Sequence, residues 1–285
     1  MKIWLSVDME GISGLVRWQD VIRSGMDFER NRRLMTLDAN AAAQGAFEAG
    51  ATEVVIEENH GVEDLCDLVI DEVDPRCTVV RGAGRPTATT MAGLDTDVDL
   101  VFFVGHHARA GSFPGIMAHT VSYEQFAAVR VAGQDCGESE IMAIRAGELG
   151  VPVGLITGDQ MVIQQLTKRV PAAESVEVKR ALSRVAGAVI PPSRAREAIR
   201  VGARRAVERF AEREFEAYRG ESAPYEIEVE LRKPASDGLR SNLEQLPEFE
   251  FDGERTVRTL ASDMDIGFRR IAYLGFGDRE GLVRY

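Results

Sequence analysis

The chain has 285 residues, 45% hydrophobic and 28% charged, a globular composition that excludes the disordered and fibrous classes. Acidic residues outnumber basic ones 46 to 34, and a formal net charge of −12 argues against nucleic acid or an anionic membrane as partner. The opening MKIWLSVDMEG lacks the apolar length of a signal peptide, and no stretch reaches the ~20 apolar residues of a membrane span. The three cysteines, Cys66, Cys77 and Cys136, form no CxxC, so reduced thiols in a cytoplasmic protein are expected.

Apolar strand-like runs alternate with helical patterns along the first two-thirds. KIWLSVD (2–8) precedes a segment whose Leu34, Leu37, Ala41 and Phe47 recur at helical spacing up to a stop at Gly50. TEVVIEENH (52–60), DLVFFVGHHA (99–108) and FAAVRVAG (126–133) read as further strands. GESEIMAIRAGELG (137–150) reads as an amphipathic helix, VPVGLITGD (151–159) as a buried strand and QMVIQQLTKRV (160–170) as a helix. This alternation predicts an α/β fold around a mostly parallel sheet with flanking helices. Near residue 190 the character changes. A charge-rich helix over 190–218 follows two prolines, then an alternating strand YEIEVELRK (225–233), then a turn, a short strand and a helix over 251–275. The expected division is a catalytic, metal-binding α/β domain over 1–190. A smaller α+β domain over 191–285 would serve oligomerisation or pocket closing.

Chemistry concentrates at the ends of the predicted strands. In SVDMEG, Asp8 and Glu10 share one face of the first strand with Trp4 and Ser6, opposite Ile3, Leu5 and Val7. Adjacent carboxylates repel unless a cation lies between them, and the C-terminal end of a parallel strand is where α/β folds bind ligands. All four histidines, His60, His106, His107 and His119, fall between residues 60 and 119. His60 ends the second strand and His106–His107 the third, so three strand ends bring imidazole and carboxylate to one rim, the ligand set of zinc and its borderline neighbours. The loop HHARAGSFPGIMAHT returns His119 to that rim, where it suits proton transfer or oxyanion stabilisation. Spacing does not rank His106 against His107, or Glu138 against Glu140 in the helix start CGESE. Glu58 shares the parity of His60 and is expected beside the ligands, and Asp159 is expected to cap the helix after its strand. GAGRP (82–86) is too short for a phosphate-binding loop, GFGDREG (275–281) reads as a turn, and neither GxxxxGK[ST] nor GxSxG occurs.

SVDMEGISG, ENH (58–60), GHHARAG (105–111), PGIMAHT (114–120), GE (137–138) and VKRALSR (178–184) resemble, in order and spacing, the DppA-type zinc D-aminopeptidases. The resemblance implies two Zn2+ per subunit bridged by Asp8, with Glu10 and His107 completing one site and His60 and Glu138 the other. It implies His119 as the catalytic histidine, and a homo-oligomer in the form of a ten-subunit ring. Two positions depart from the family pattern: His106 stands where Tyr is common, and EEN precedes His60 in place of NDS. The expected activity is removal of N-terminal D-amino acids from short peptides or aminoacyl amides by a metal-activated water. Other divalent metals suit the same ligands. The alternatives are a deacetylase or phosphoesterase with the same two-metal site, for which Arg109 is the obvious basic group on the key loop, or a ring-forming scaffold with a vestigial site. A structural zinc site would favour four Cys or His ligands, and this chain offers carboxylates instead.

Overall fold

In the computed structural model, which describes residues 1–61, 64–85 and 90–276, the apolar N-terminal run forms β1 (Lys2–Val7). A one-turn helix α1 (Trp18–Val21) and the long α2 (Phe28–Glu48) lead to β2 (Glu53–Glu58), β3 (Thr78–Val80) and β4 (Leu100–Val104). The chain then forms β5 (Phe126–Val131) and β6 (Gln134–Asp135), followed by α3 (Glu138–Glu148), β7 (Val153–Asp159) and α4 (Gln160–Thr167). A hairpin of β8 (Glu174–Ala181) and β9 (Gly187–Val189) precedes α5 (Pro192–Ala211). The last elements are β10 (Tyr225–Leu231), α6 (Asp237–Leu243), β11 (Phe249–Asp252), β12 (Thr256–Ala261) and α7 (Met264–Phe276).

Among the described residues the strands form two sheets. The larger runs β3-β2-β1-β4-β7-β8-β9 and is parallel except at β9, as the buried apolar runs of β1, β4 and β7 require. Its Ile3, Leu5 and Val7 pack with α2 (Ala39, Ala42, Ala43) and α5 (Ile199, Ala203, Ala206) on one side. On the other side Trp4, Val101 and Phe103 share a core with α3, α7 and the smaller sheet. That second sheet, β11-β12-β10-β5-β6, is antiparallel and alternates buried with exposed positions, as in YEIEVEL.

Three details differ from the sequence expectation. FAAVRVAG does not extend the parallel sheet; as β5 it pairs with β10 in the antiparallel one. Its half-exposed positions, Ala127, Ala128 and Arg130, are the local sign of that environment. The helix after residue 190 stops at Ala211 and lies along α2, while β8, β9, β3 and α6 carried no strong sequence signal. Asp159 caps α4 as expected, its Oδ1 accepting from the Met161 and Val162 amides. No helix among the described residues is long and apolar enough to cross a membrane. The GFGDREG turn reaches beyond the described residues.

Candidate metal centre

The larger sheet reverses its strand order at β1. The chain builds outward through β2 and β3 on one side, then through β4, β7 and β8 on the other. The crevice beyond the C-terminal ends at such a reversal is the usual ligand site of an open α/β sheet. Asp8 and Glu10 leave β1 there, His60 leaves β2 and His106–His107 leave β4. The loops are stitched together by Asp8 N donating to Val104 O (2.9 Å), Asn59 N to Val7 O (2.9 Å) and Gly11 N to Gly105 O (2.7 Å). Two glycines allow this approach. Gly105 has φ +71° and a Cβ there would lie 2.3 Å from Asp8 O; one on Gly11 would lie 2.0 Å from His106 O.

The side chains converge. His107 Nε2 lies 3.2 Å from Asp8 Oδ2 and 3.4 Å from Glu138 Oε1. His60 Nε2 is 3.6 Å from Glu10 Oε1, and His119 Nε2 is 3.8 Å from Glu138 Oε1 and 4.0 Å from Glu10 Oε1. The His107 and His119 rings stack at 4.0 Å and 9°, and Trp18 meets His119 edge-on at 5.5 Å. Two overlapping groups, Asp8–Glu10–His107 and His107–His119–Glu138, each have their ligand atoms within 4.8 Å of one another. His106 is turned elsewhere: its Nε2 reaches Ser6 Oγ (3.3 Å) and its ring meets Phe103. Glu140 also faces away, accepting from Gly137 N (2.8 Å) as a helix cap and from Arg109 and Arg169.

A second layer fixes the orientation of these groups. His107 Nδ1 donates to Ala108 O (3.1 Å) and His119 Nδ1 to Met117 O (2.9 Å). Carbonyls only accept, so each neutral ring presents the lone pair of its Nε2 to the cluster. His60 Nδ1 bonds Asp67 Oδ2 at 2.7 Å, and Asp67 is held in turn by Arg23 at 2.7 Å. Glu58 lies beside the ligands as expected, accepting from the Asp67 and Leu68 amides so that Asp67 stays in place. Glu138 receives Val121 N (2.8 Å) and Asn59 Nδ2 (3.2 Å). Sequence reasoning missed Asp67, Trp18 and above all Lys179. The last is 1% exposed, and its ammonium donates to the carbonyls of Glu10 (2.5 Å), Ile12 (3.0 Å) and Leu15 (2.7 Å), pinning the loop that carries Glu10. A lysine amid the apolar residues of VEVKRA was the available signal.

The electrostatics are those of a site built around a cation. Burial opposes ionisation of Asp8 and Glu138, but His107 beside them holds Asp8 well below the usual carboxylate range and Glu138 at about 2. Burial, with Asp8 adjacent, pushes Glu10 up to about 8. Burial also disfavours the His60 imidazolium, yet Glu10 and Asp67 outweigh it and raise the group to about 9. His119 is lowered to about 4, by burial first and by His107 second. Asp8 Oδ2, Glu10 Oε2 and His107 Nε2 are buried with no hydrogen-bond partner among the described residues. Polar atoms left so cost about 1–3 kcal/mol each, more for charges, and a divalent cation between them satisfies all three at once. The donor set of carboxylate oxygens and imidazole nitrogens fits zinc.

Comparison with known proteins agrees with this geometry. The family model of peptidase family M55, described as D-aminopeptidase, matches residues 1–272. A D-aminopeptidase of Bacillus subtilis (strain 168) is 33% identical over 198 residues, 68% of this chain and 69% of its own. Among solved structures, the Zn-dependent D-aminopeptidase DppA from Bacillus subtilis, described as a self-compartmentalizing protease, superposes with a TM-score of 0.87 at 26% identity, covering 96% of each chain. The strand-end carboxylates and imidazoles thus belong to a metallopeptidase, and the chain is a member of the M55 family of D-aminopeptidases.

Proposed function

We propose that this protein is a zinc-dependent D-aminopeptidase that binds two metal ions per subunit and removes N-terminal D-residues from short peptides or aminoacyl amides. The observation that carries the reading is the pair of overlapping ligand groups where the ends of β1 and β4 meet the His119 loop and α3, with buried ligand atoms left unpartnered. Asp8, Glu10 and His107, one of these groups, would hold one ion. The other group, His107–His119–Glu138, contains His119 and not His60, and the pairing of His60 with Glu138 at the second ion rests on the resemblance to the family. Bound zinc supplies Lewis-acid polarisation of the scissile carbonyl and lowers the pKa of water toward about 7. The rest is the work of this chain. His119, its Nδ1 proton engaged by Met117 O, presents Nε2 to the reacting centre, where it would pass a proton from the attacking water to the leaving amine.

The phosphoesterase alternative loses its main support, because the Arg109 guanidinium lies 3.3 Å from Glu140. The self-compartmentalizing relative supports self-assembly, for which we propose the ten-subunit ring that the family resemblance implies, and three cysteines with no CxxC suit the reducing cytoplasm. The test is turnover of D-alanyl and L-alanyl p-nitroanilide by zinc-loaded protein, wild type and His119→Ala. The D-substrate should be strongly preferred, and the variant should lose roughly 10²–10⁴ in kcat with metal content unchanged. Preference for the L-substrate would overturn the stereochemical assignment; full turnover by the variant would overturn the role of His119.

A further inference from the structure

The rim does not end at His119. The Trp18 ring that meets His119 edge-on is also tilted against the ring of Tyr123, with centroids 4.2 Å apart at 42°. Arg232, just after β10, lies over that tyrosine with its guanidinium carbon 5.3 Å from the ring centroid, and its Nε donates to Tyr123 O at 2.7 Å. Three neighbouring contacts thus lead from His119 through two aromatic rings to a guanidinium. At their outer end is a cavity of about 420 Å³ lined by Tyr123, Glu124, Gln125, Arg232 and Lys233.

The cavity carries two cations, Arg232 and Lys233, and one acid, Glu124. Most arginines of the described chain are tied to carboxylates, as Arg130, Arg169, Arg200 and Arg258 are. Neither Arg232 nor Lys233 has an acidic partner within salt-bridge distance among the described residues, and Arg232 Nη2 is buried with no hydrogen-bond partner. Arg232 and Lys233 together set two positive charges against the one carboxylate of Glu124 in the cavity wall, a balance that suits a ligand carboxylate, which a guanidinium meets with charge-assisted hydrogen bonds. The contacts from His119 outward measure 5.5, 4.2 and 5.3 Å in turn, a path that an extended peptide of up to about four residues covers at ~3.4 Å per residue.

We propose that Arg232, with Lys233, binds the C-terminal carboxylate of the substrate, and that Trp18 and Tyr123 form the wall along which the peptide runs from the reacting bond. This rests on the aminopeptidase reading above and narrows it: the preferred substrates are short peptides with a free C-terminus rather than amides.

The test compares D-alanyl peptides of two to four residues, each made as free acid and as C-terminal carboxamide, on zinc-loaded wild type, Arg232→Gln and Arg232→Lys. In the wild type, kcat/KM for the free acid should exceed that of the carboxamide of at least one length by about tenfold or more, the scale of a charge-assisted hydrogen bond, with the difference in KM. Arg232→Gln should bring the ratio toward one, and Arg232→Lys should restore part of it. A wild-type ratio near one at every length overturns the proposal without requiring any variant, as does an undiminished ratio in Arg232→Gln. Hydrolysis of neither form by the wild type would instead refute the aminopeptidase reading itself.

Discussion

The two sheets of this protein handle charge in opposite ways. On the antiparallel sheet, charges are half-exposed and paired across strands. Arg130 meets Glu228 at 2.5 Å and Glu230 at 3.3 Å, Arg258 meets Glu228 at 3.2 Å and Asp252 at 2.8 Å, and Arg255 meets Glu230 at 3.1 Å. At the rim of the parallel sheet, Asp8, Glu10 and Glu138 are buried, and the groups around them are histidines and one another. Exposed pairs contribute little to stability, typically 0–1 kcal/mol, whereas buried acids without a compensating cation are costly. The first arrangement tolerates substitution; the second persists because it binds something. Counting charges would not separate the two, but burial and the lack of hydrogen-bond partners do.

Breaking the supports of the rim should therefore have the largest effect. Lys179→Met leaves three buried carbonyls of the Glu10 loop without their donor and should cost about 3 kcal/mol or more in denaturant unfolding of the metal-free protein. Zinc affinity should fall with it. A change below 1 kcal/mol would mean that the loop holds itself.

The metal-free protein should also carry a pH signature. Glu10, raised by burial and Asp8 to about 8, and His60, raised by Glu10 and Asp67 against burial to about 9, both bind protons more tightly when folded. Raised groups stabilise below their unfolded values, near 4.5 and 6.5, and that stability is lost as pH rises through the folded ones. Between pH 6.5 and 8 unfolding free energy should fall, on the order of 2 kcal/mol, and Glu10→Gln should flatten the slope. Thermal scans of chelator-treated protein at the two pH values check this; a rise in stability would contradict it.

The smallest effect is expected on the other sheet. Arg258→Gln should change stability by less than about 0.5 kcal/mol, and the residual effect should shrink in high salt. A loss above 2 kcal/mol would erase the contrast between the sheets.

Much of the rim was legible because the parallel strands are local objects with legible ends. KIWLSVD, TEVVIEENH and DLVFFVGHHA announce their C-termini, and parallel packing brings those ends together without further information. The choice between His106 and His107 was not legible from spacing, since neighbouring residues after a strand can turn either way. The structure separates them through the backbone turn at Gly105 and the Ser6 partner of His106. Non-local pairing defeated the reading elsewhere. FAAVRVAG looks like any short strand until β10, a hundred residues later, supplies its partner. Lys179 and Asp67 were obscure for the same reason, because their significance lies wholly in what distant segments bring to them.

The most direct test of the account is metal content per subunit, measured by mass spectrometry of metals on protein purified without chelator, for wild type and Asp8→Ala in parallel. The account predicts about two equivalents of zinc or a similar divalent ion in the wild type and loss of that complement in the variant. A metal-free wild type that also fails to take up zinc on reconstitution, or a variant that retains the full complement, would contradict it.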